Sequence, residues 1–456
     1  MRRPVDAVDT IWLNMDRSNN LMVIESLMTC EGPIDPDRFV EVLRTRVLDR
    51  YPVFGQRPTS SRVPLSMPHW EDVPDFDPSA HVRRFTLPDP GDDAALQDHV
   101  NSFISTPLPR DRPLWEMHLI DGYGDGSAIY SRLHHAMADG IALTRVLLSM
   151  TDAAPHAPPG EDDLGDVRQH GPFGTAVHLM ESAAGTAGSA LLDLPHLVSP
   201  SFAEDAFTLA RQTTGIATKL TFTRNPPSAI AGTAGVRKRA VWMPPIPLAD
   251  VVAAGHRTGT TVNDVLVAAL AGAVSSYLLE HDGAVLDIPT MVPVNVRPLD
   301  EPLPRELGNR FALALFSLPS GLETPFARLA ETKRRMDAIK DSPEAMLTFG
   351  LIRGIGRTGK DLERYLVDFF ANKASGVTTN VPGPRGPRYI SGTRIVSMLG
   401  WAPESGNQTL GTCIFTYDGH VHVGFKVDLG TIAQPEELLT GFAAEIDALL
   451  HLARAG

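Results

Sequence analysis

The stretch 133–140, which reads LHHAMADG, carries the most information about how this chain folds. Before it, residues 115–120 alternate like a strand, 122–126 supply a turn rich in glycine, and 127–135 predict the return strand of a hairpin. After it, the apolar spacing of residues 140–150 predicts a helix. The two histidines therefore lie at the end of a strand, and Asp139 lies just before a helix.

The side chains of this stretch suit acid–base chemistry. Neighbouring residues on a strand point to opposite faces, so only one of His134 and His135 can line a cavity while the other supports it. Imidazole, with an unperturbed pKa of about 6.5, can accept a proton at neutral pH. A buried carboxylate at Asp139 can pair with a cation and fix the loop. Gly140, which has no Cβ, is expected to let the backbone turn tightly.

A simpler interpretation makes the histidines chance neighbours in an edge strand and Asp139 a helix cap. For an isolated pair of histidines this interpretation would be preferred. The complete seven-residue pattern from His134 to Gly140, placed at a strand–turn–helix junction, favours a catalytic site instead.

Composition limits the class of protein. A chain of 456 residues exceeds the size that one hydrophobic core usually serves, so two domains are expected. The net charge of −13 argues against a nucleic acid as the main ligand, because such binding needs clustered Lys and Arg. A local basic strip could still hold an anionic co-substrate.

Cysteine and histidine usage points to a cytoplasmic protein without a metal. The two cysteines, Cys30 and Cys413, are far apart and build neither a disulfide framework nor a ligand cluster. The N-terminus lacks the apolar run of a signal peptide, and the longest uncharged run, 265–279, is short for a membrane span. No HExxH or CxxC spacing occurs, and His420 and His422 read as a partly exposed pair on one strand face.

The chain divides into three predicted ranges. Residues 1–150 form a first domain that carries the histidine motif. Residues 151–235 hold an acidic linker and an Ala/Gly/Ser-rich stretch, 173–220, which we interpret as crossover helices; a lid or membrane contact is the sharper alternative. Residues 236–456 form a second domain with a buried-looking helix over 262–279 and a terminal helix from Pro435. Helices mixed with strands in both halves predict two α/β domains.

A glycine-rich segment at 354–361, GIGRTGKD, resembles nucleotide-binding patterns. It satisfies G-x-G-x-x-G, but Asp361 stands where a phosphate loop has Ser or Thr, and a carboxylate there would repel a triphosphate. No acidic residue follows about 20 positions later, as a dinucleotide site requires. A glycine-rich loop is the better interpretation, although Arg353, Arg357 and Lys360 could meet a phosphate of an anionic co-substrate.

Several motifs in the same order resemble one family. The segment 134–140 matches the HHxxxDG motif of CoA-dependent acyltransferases, a superfamily that includes chloramphenicol acetyltransferases and condensation domains. Further matches are PVDAVD at 4–9, PLW at 113–115, Asn263-Asp264, NVPGP at 380–384 and YDG at 417–419. Together they resemble the bacterial wax ester synthase/acyl-CoA:diacylglycerol acyltransferase family over nearly the whole chain.

The resemblance implies a fold and roles for individual residues. It implies two chloramphenicol-acetyltransferase-like domains with a central tunnel, His135 at its middle as the general base, and His134 as a structural residue. Asp139 is expected to pair with an arginine, with Arg297 favoured and Arg310 in reserve. Asn263 and Asp264 would shape the interface near the site, with helix capping as an equal alternative.

The resemblance also implies the reaction. A fatty acyl group would pass from acyl-CoA, a co-substrate and not a resident cofactor, to a diacylglycerol or a long-chain alcohol. The alternatives are a polyketide or condensation-type acyltransferase with another hydroxyl acceptor, and a non-catalytic lipid-surface protein. No G-x-S-x-G elbow occurs, which argues against a hydrolase of the lipase type. A cytoplasmic protein that associates with membrane or lipid-droplet surfaces is expected.

Overall fold

The structure is a computed structural model that describes residues 2–59, 67–155, 223–295, 301–340, 342, 348, 352 and 360–455. The predicted crossover stretch 173–220, most of the glycine-rich segment 354–361, and Arg297 lie outside the described residues.

Helices and strands alternate along both halves of the chain. The helices are α1 Ala7–Met15, α2 Pro36–Leu43, α3 Asp93–Phe103, α4 Gly140–Ser149, α5 Leu248–Thr258, α6 Val262–Asp282, α7 Pro325–Lys340, α8 Lys360–Ala371 and α9 Glu436–Ala455. The strands are β1 Arg2–Pro4, β2 Val23–Cys30, β3 Gln56–Thr59, β4 His69–Asp72, β5 Val82–Thr86, β6 Trp115–Tyr123, β7 Gly126–His134, β8 Thr151–Asp152, β9 Lys238–Trp242, β10 Ile246–Pro247, β11 Ile288–Asn295, β12 Phe311–Leu318, β13 Gly376–Pro382, β14 Tyr389–Ile390, β15 Thr393–Trp401, β16 Leu410–Tyr417 and β17 His420–Asp428.

The first large sheet carries the histidine motif. Its seven strands run in the order β5-β6-β7-β2-β15-β14-β8. The predicted hairpin is present as β6 and β7, with Trp115 opposite Leu133. On the other side of β7, Val23 of β2 lies opposite His134. The motif thus ends a central strand rather than an edge strand, and α4 begins directly after it.

The second large sheet has the order β10-β17-β16-β13-β11-β12, with β9 also paired to β17. Strands β11, β13 and β16 run parallel, and β12 and β17 pair antiparallel with their neighbours. Helix α6 packs behind this sheet in the largest apolar cluster. A small sheet of β1, β4 and β3 lies apart from both. The mixed α/β architecture predicted from the sequence is confirmed.

The chain crosses between the two sheets late in the sequence. Strands β14 and β15 come from the range 236–456 but belong to the first sheet, where Trp401 of β15 lies opposite Glu25 of β2. That range therefore contributes strands to both sheets. The predicted boundaries at 150 and 236 remain predictions, and the two halves share a sheet.

Buried charges join the sheets at this crossing. Lys426 of β17 places its Nζ 3.3 Å from Glu25 of β2 and 3.4 Å from Glu404, which follows β15. All three residues are at most 4% exposed. A buried ammonium group needs such partners because leaving it unpaired in the interior would cost several kcal/mol. The cluster therefore fixes the second sheet against the first.

Helix α6 spans 21 residues, most of them buried. It is long and apolar enough to cross a membrane, but 83% of its most apolar stretch is buried inside the protein. Its start is fixed by a capping box in which Thr261 and Asp264 exchange hydrogen bonds between side chain and backbone. These features describe the central helix of a folded core.

Candidate active site

His135 lies immediately after β7, where the first sheet opens toward the second. Its backbone N–H donates to the carbonyl of Met22 at 2.7 Å, which extends the pairing of β7 with the β2 region by one step. Its ring stacks on the indole of Trp12 with centroids 4.1 Å apart. The ring of Phe311 lies 5.7 Å away on the other half of the chain. His135 is therefore enclosed by both halves and only 9% exposed.

The cavity beside His135 has a volume of about 400 Å³, within the usual range for ligand pockets. It lies between the two large sheets, because its walls come from β2 and β15 on one side and from β11, β12, β13 and β16 on the other. Most of its lining is apolar, including Leu143, Leu147, Met291, Leu313, Phe370 and Met398. Such a cavity suits a long hydrocarbon chain and excludes water.

The environment of His135 keeps its ring neutral. Burial, assisted by the neighbouring His134, lowers the pKa of His135 to about 4, although its own carbonyl and Asn309 oppose this shift. The Nδ1 atom is buried and has no hydrogen-bond partner among the described residues. This leaves Nε2 as the ring nitrogen open to the cavity. A neutral imidazole with an accessible nitrogen can accept a proton at pH 7.

His134 occupies a supporting position on the other side of the strand. Its Nδ1 accepts a hydrogen bond from the backbone N–H of Ala136 at 3.1 Å, so the ring proton must be on Nε2. That Nε2 lies 3.5 Å from the carboxylate of Asp16. Burial lowers the pKa of His134, and the residue is 1% exposed. The ring is therefore a fixed, neutral part of the core.

Asp139 ties the loop to its surroundings with both carboxylate oxygens. Its Oδ1 accepts from the backbone N–H of Ala142 at 2.8 Å and caps α4. Its Oδ2 accepts from the backbone N–H of Arg310 at 3.0 Å. The reserve partner Arg310 thus reaches Asp139 through its main chain, while its side chain is exposed. The favoured pair with Arg297 remains a prediction, since Arg297 lies outside the described residues.

Gly140 was expected to allow a tight backbone turn because it lacks a Cβ, and this reason was wrong. Gly140 is not among the residues with a positive φ, and a Cβ built on it would meet nothing within 4 Å. The turn therefore does not require glycine. Gly140 lines the cavity. The absence of a side chain leaves open space next to the loop 135–139.

Asn263 and Asp264 have different roles. Asp264 is fully buried and completes the capping box of α6 with Thr261, so capping accounts for it. Asn263 lines the cavity, and its Oδ1 accepts from the side-chain amide of Asn380 at 2.9 Å. Its Nδ2 is buried and has no hydrogen-bond partner among the described residues. Asn263 therefore holds, just behind the cavity wall, an amide nitrogen to which no described residue is hydrogen-bonded.

The structure brings a further segment, Gly308–Arg310, against the loop 135–139. Gly308 forms a bridge with Ala138 and has a φ of +117°, a conformation that favours glycine. The Asn309 side chain donates to the carbonyl of His135 at 2.8 Å. Sequence reasoning named Arg310 as the reserve partner of Asp139 but missed Gly308, Asn309 and the stacking of Trp12. No motif or periodicity marked the Gly-Asn pair just before β12.

The predicted absence of a metal site stays a prediction. Within the described ranges, no group of three or more His, Cys, Asp or Glu residues could hold a metal ion. His420 is exposed at the start of β17, and His422 is buried with a pKa lowered to about 4 by that burial. One histidine therefore lies at the surface and the other in the core, whereas the sequence predicted that both would be partly exposed.

Comparison with protein-family models identifies the chain. The wax ester synthase/diacylglycerol acyltransferase catalytic domain matches residues 5–266, and the C-terminal domain of the same family matches residues 307–450. The chain belongs to the wax ester synthase/diacylglycerol acyltransferase family. The resemblance drawn from the motifs is confirmed.

Relatives and solved structures agree with this assignment. Two proteins of Mycobacterium tuberculosis named as diacylglycerol O-acyltransferases are 27% and 29% identical, and cover 97% and 100% of this chain and 94% and 98% of their own lengths. A wax ester synthase/diacylglycerol acyltransferase from Marinobacter aquaeolei VT8 superposes with a TM-score of 0.68 at 22% identity, covering 99% of both chains. The first condensation domain of a calcium-dependent antibiotic synthetase reaches 0.61 at 18% identity, covering 99% of this chain and 96% of its own. The fold is that of the two-domain acyltransferases.

The two contacts of Asp139 can be separated by mutation. Asp139→Asn keeps an oxygen for the cap but turns an amide N–H toward the main-chain N–H of Arg310, so we expect a loss of about 1–3 kcal/mol in unfolding free energy. Arg310→Ala keeps the main-chain donor and should cost less than about 0.5 kcal/mol, as usual for an exposed side chain. Urea unfolding of both variants measures this. A large loss for Arg310→Ala alone would show that its side chain holds the loop.

Proposed function

We propose that this enzyme transfers a fatty acyl group from acyl-CoA to the hydroxyl of a long-chain alcohol or a diacylglycerol, with His135 as the general base. Family membership supports acyl transfer, and the names of the relatives support a hydroxyl group as the acyl acceptor. One observation carries the proposal for this chain: a neutral histidine opens on an apolar cavity that both sheets enclose.

The reaction follows from the position of that nitrogen. Nε2 of His135 accepts the hydroxyl proton as the alcohol oxygen attacks the thioester carbonyl carbon and forms the new C–O bond. The tetrahedral intermediate then collapses with cleavage of the C–S bond, and the protonated ring gives its proton to the leaving thiolate. The products are an ester and free CoA. A base in this role contributes roughly 10²–10⁴-fold to the rate.

The intermediate places negative charge on the former carbonyl oxygen, and a donor must face it. We infer that Asn263 supplies that donor, because the residue lines the cavity and its Nδ2 has no hydrogen-bond partner among the described residues. The bond from Asn380 to Oδ1 holds the amide so that its nitrogen faces away from that contact. A fixed donor in a dry site stabilises developing charge more than a mobile one in water.

The apolar walls have a chemical role as well as a binding role. Water that reached the thioester beside His135 would be activated by the same base and would hydrolyse the donor. Side chains such as Leu143, Met291 and Phe370 restrict that access and favour a hydrophobic acceptor. The reaction as written needs acyl-CoA as co-substrate, and we propose that no further cofactor takes part.

Two alternatives from the sequence have less support. The likeness to condensation domains is at 18% identity and concerns the fold alone, whereas the family models match both halves of this chain. A lipid-surface protein without activity would have no need for a neutral histidine enclosed beside a cavity. The matched family therefore favours the lipid acyltransferase.

The base can be tested by comparing the two histidines. His135→Ala should lower the rate of alcohol-dependent CoA release by at least about 10²-fold, the contribution expected of a general base. Acyl-CoA affinity and the melting temperature should change little, since the ring borders a cavity. His134→Ala is the matched comparison and should lower stability and activity together, because its ring is buried against Asp16.

A thiol reagent that detects free CoA, with and without alcohol, measures this rate, and isothermal titration measures acyl-CoA binding. Release in the wild type that does not depend on alcohol would exclude O-acyl transfer. A His135→Ala variant that keeps more than about a tenth of the wild-type rate, well above what loss of a general base leaves, would remove the base assignment.

The low pKa of His135 predicts the pH dependence. The active form is the neutral ring, so kcat/KM should stay level from pH 8 down past the ordinary histidine value of about 6.5 and fall only toward the pKa of about 4. Since the unfolded histidine takes up a proton first, stability also declines between pH 6.5 and 4. Circular dichroism must therefore accompany the rates. Burial raises the pKa of Asp9, which lies nearby, to about 7, so the profile is also measured in Asp9→Asn. An inflection near 6.5 that persists in folded Asp9→Asn would contradict the buried, neutral ring.

We also propose that the enzyme works in the cytoplasm and associates reversibly with membrane or lipid-droplet surfaces, because its proposed acceptors are insoluble in water. The stretch 173–220, the candidate contact from the sequence, lies outside the described residues. Flotation with liposomes containing diacylglycerol should carry part of the protein to the lipid fraction, and a variant lacking 173–220 should stay below if that stretch is the contact. Absence of any wild-type protein from the floated fraction would count against a surface-bound acceptor.

A further inference from the structure

The side-chain amide of Asn309 connects two groups that are far apart in sequence. Its Nδ2 donates to Oδ1 of Asp9 at 2.8 Å and to the carbonyl of His135 at 2.8 Å. Both partners are acceptors, so only the amide nitrogen can face them, and the orientation of the amide is determined. Its Oδ1 is buried and has no partner among the described residues. The two donated bonds therefore fix the amide.

Asp9 is the anchor of this arrangement. The same Oδ1 that accepts from the Asn309 side chain also accepts from the Asn309 backbone N–H at 3.0 Å. Asp9 is 4% exposed and lies on α1, three residues before Trp12. Residues with this spacing share one face of a helix. Helix α1 thus acts on His135 twice, through the stacked indole of Trp12 and through Asp9 and Asn309.

The neighbours of Asn309 hold the rest of the catalytic loop. Gly308 bridges to Ala138, and the backbone N–H of Arg310 donates to Asp139. Three successive residues of the second half therefore contact positions 135, 138 and 139 of the first half. The Asn309 contact is the one nearest the reacting ring, because it binds the carbonyl of His135 itself.

We propose that Asp9 and Asn309 are positioning residues that hold the main chain of His135 so that its Nε2 faces the acceptor hydroxyl. This inference rests on the proposed role of His135 as the base. Neither residue touches substrate in this proposal. Asp9 orients the Asn309 amide, the amide holds the His135 carbonyl, and Trp12 limits the tilt of the ring. Small misplacement of a catalytic group is costly, since about 1 Å can reduce a rate by about 10²-fold.

The two residues can be tested with matched variants. Asp9→Ala and Asn309→Ala should each lower kcat by about 10²-fold through misplacement of the base. KM for acyl-CoA should stay near the wild-type value, because neither side chain lines the cavity. Asp9→Asn keeps one oxygen at the position that accepts both bonds, and it should recover most of the activity that Asp9→Ala loses.

Asp6→Ala is the control for a general effect of helix α1. Asp6 caps the same helix by accepting from the backbone N–H of Val8, and it lies on the exposed surface. Its loss should lower the melting temperature but leave kcat near the wild-type value. Rates are compared under conditions where circular dichroism shows each variant to be folded. If Asp9→Ala does not fold, Asn309→Ala and Asp9→Asn still give the comparison.

The outcomes separate this inference from the proposed function. A fall in kcat at constant KM for Asp9→Ala and Asn309→Ala, with recovery in Asp9→Asn, supports positioning. Equal losses in Asp9→Asn and Asp9→Ala, or a rate in Asp9→Ala no lower than in Asp6→Ala, would overturn it. His135→Ala is assayed in parallel. If that variant stays active, the base assignment fails independently of the result for Asp9.

Discussion

The structure depends on holding one short loop, residues 135–139, in place between two sheets. Asn309 does this most directly, since its single amide group joins helix α1 of the first half to the carbonyl of His135. A hydrogen bond contributes only about 1 kcal/mol net, but a buried polar group left without one costs about 1–3 kcal/mol. Any displacement of the loop would leave several buried groups unpaired at once. The loop therefore has one low-energy position.

The same burial that makes the loop rigid also sets its chemistry. A charged imidazole is costly in a dry environment, so the ring of His135 stays neutral and its pKa falls to about 4. A ring that stays neutral is available as a base over a wide pH range, although its conjugate acid is then strong and returns the proton readily. Burial acts in the opposite direction on Asp9, whose pKa rises to about 7 despite two hydrogen bonds from Asn309.

The two halves of the chain are coupled through shared structure. Strand β15 completes the first sheet, and Lys426 joins Glu25 and Glu404 across the sheets. The cavity lies in the space left between the two sheets, so its walls belong to both halves of the chain. The proposed site needs both sheets, because His135 follows a strand of the first sheet and Asn263 lies on α6, which packs behind the second.

The sequence by itself determined the family, the mixed α/β fold, the strand–turn–helix around the histidine motif and the buried helix that begins at Val262, because each depends on local pattern or on motifs. It did not reveal Asp9 and Asn309 as partners, since they are 300 residues apart. The tight turn expected to require Gly140 does not require it. Arg310 was considered as a side-chain partner of Asp139, whereas the observed bond uses its backbone N–H. Every residue has a backbone N–H, so residue type cannot indicate such a bond. Only tertiary packing decides which distant groups meet, because burial then requires each polar group to find a partner.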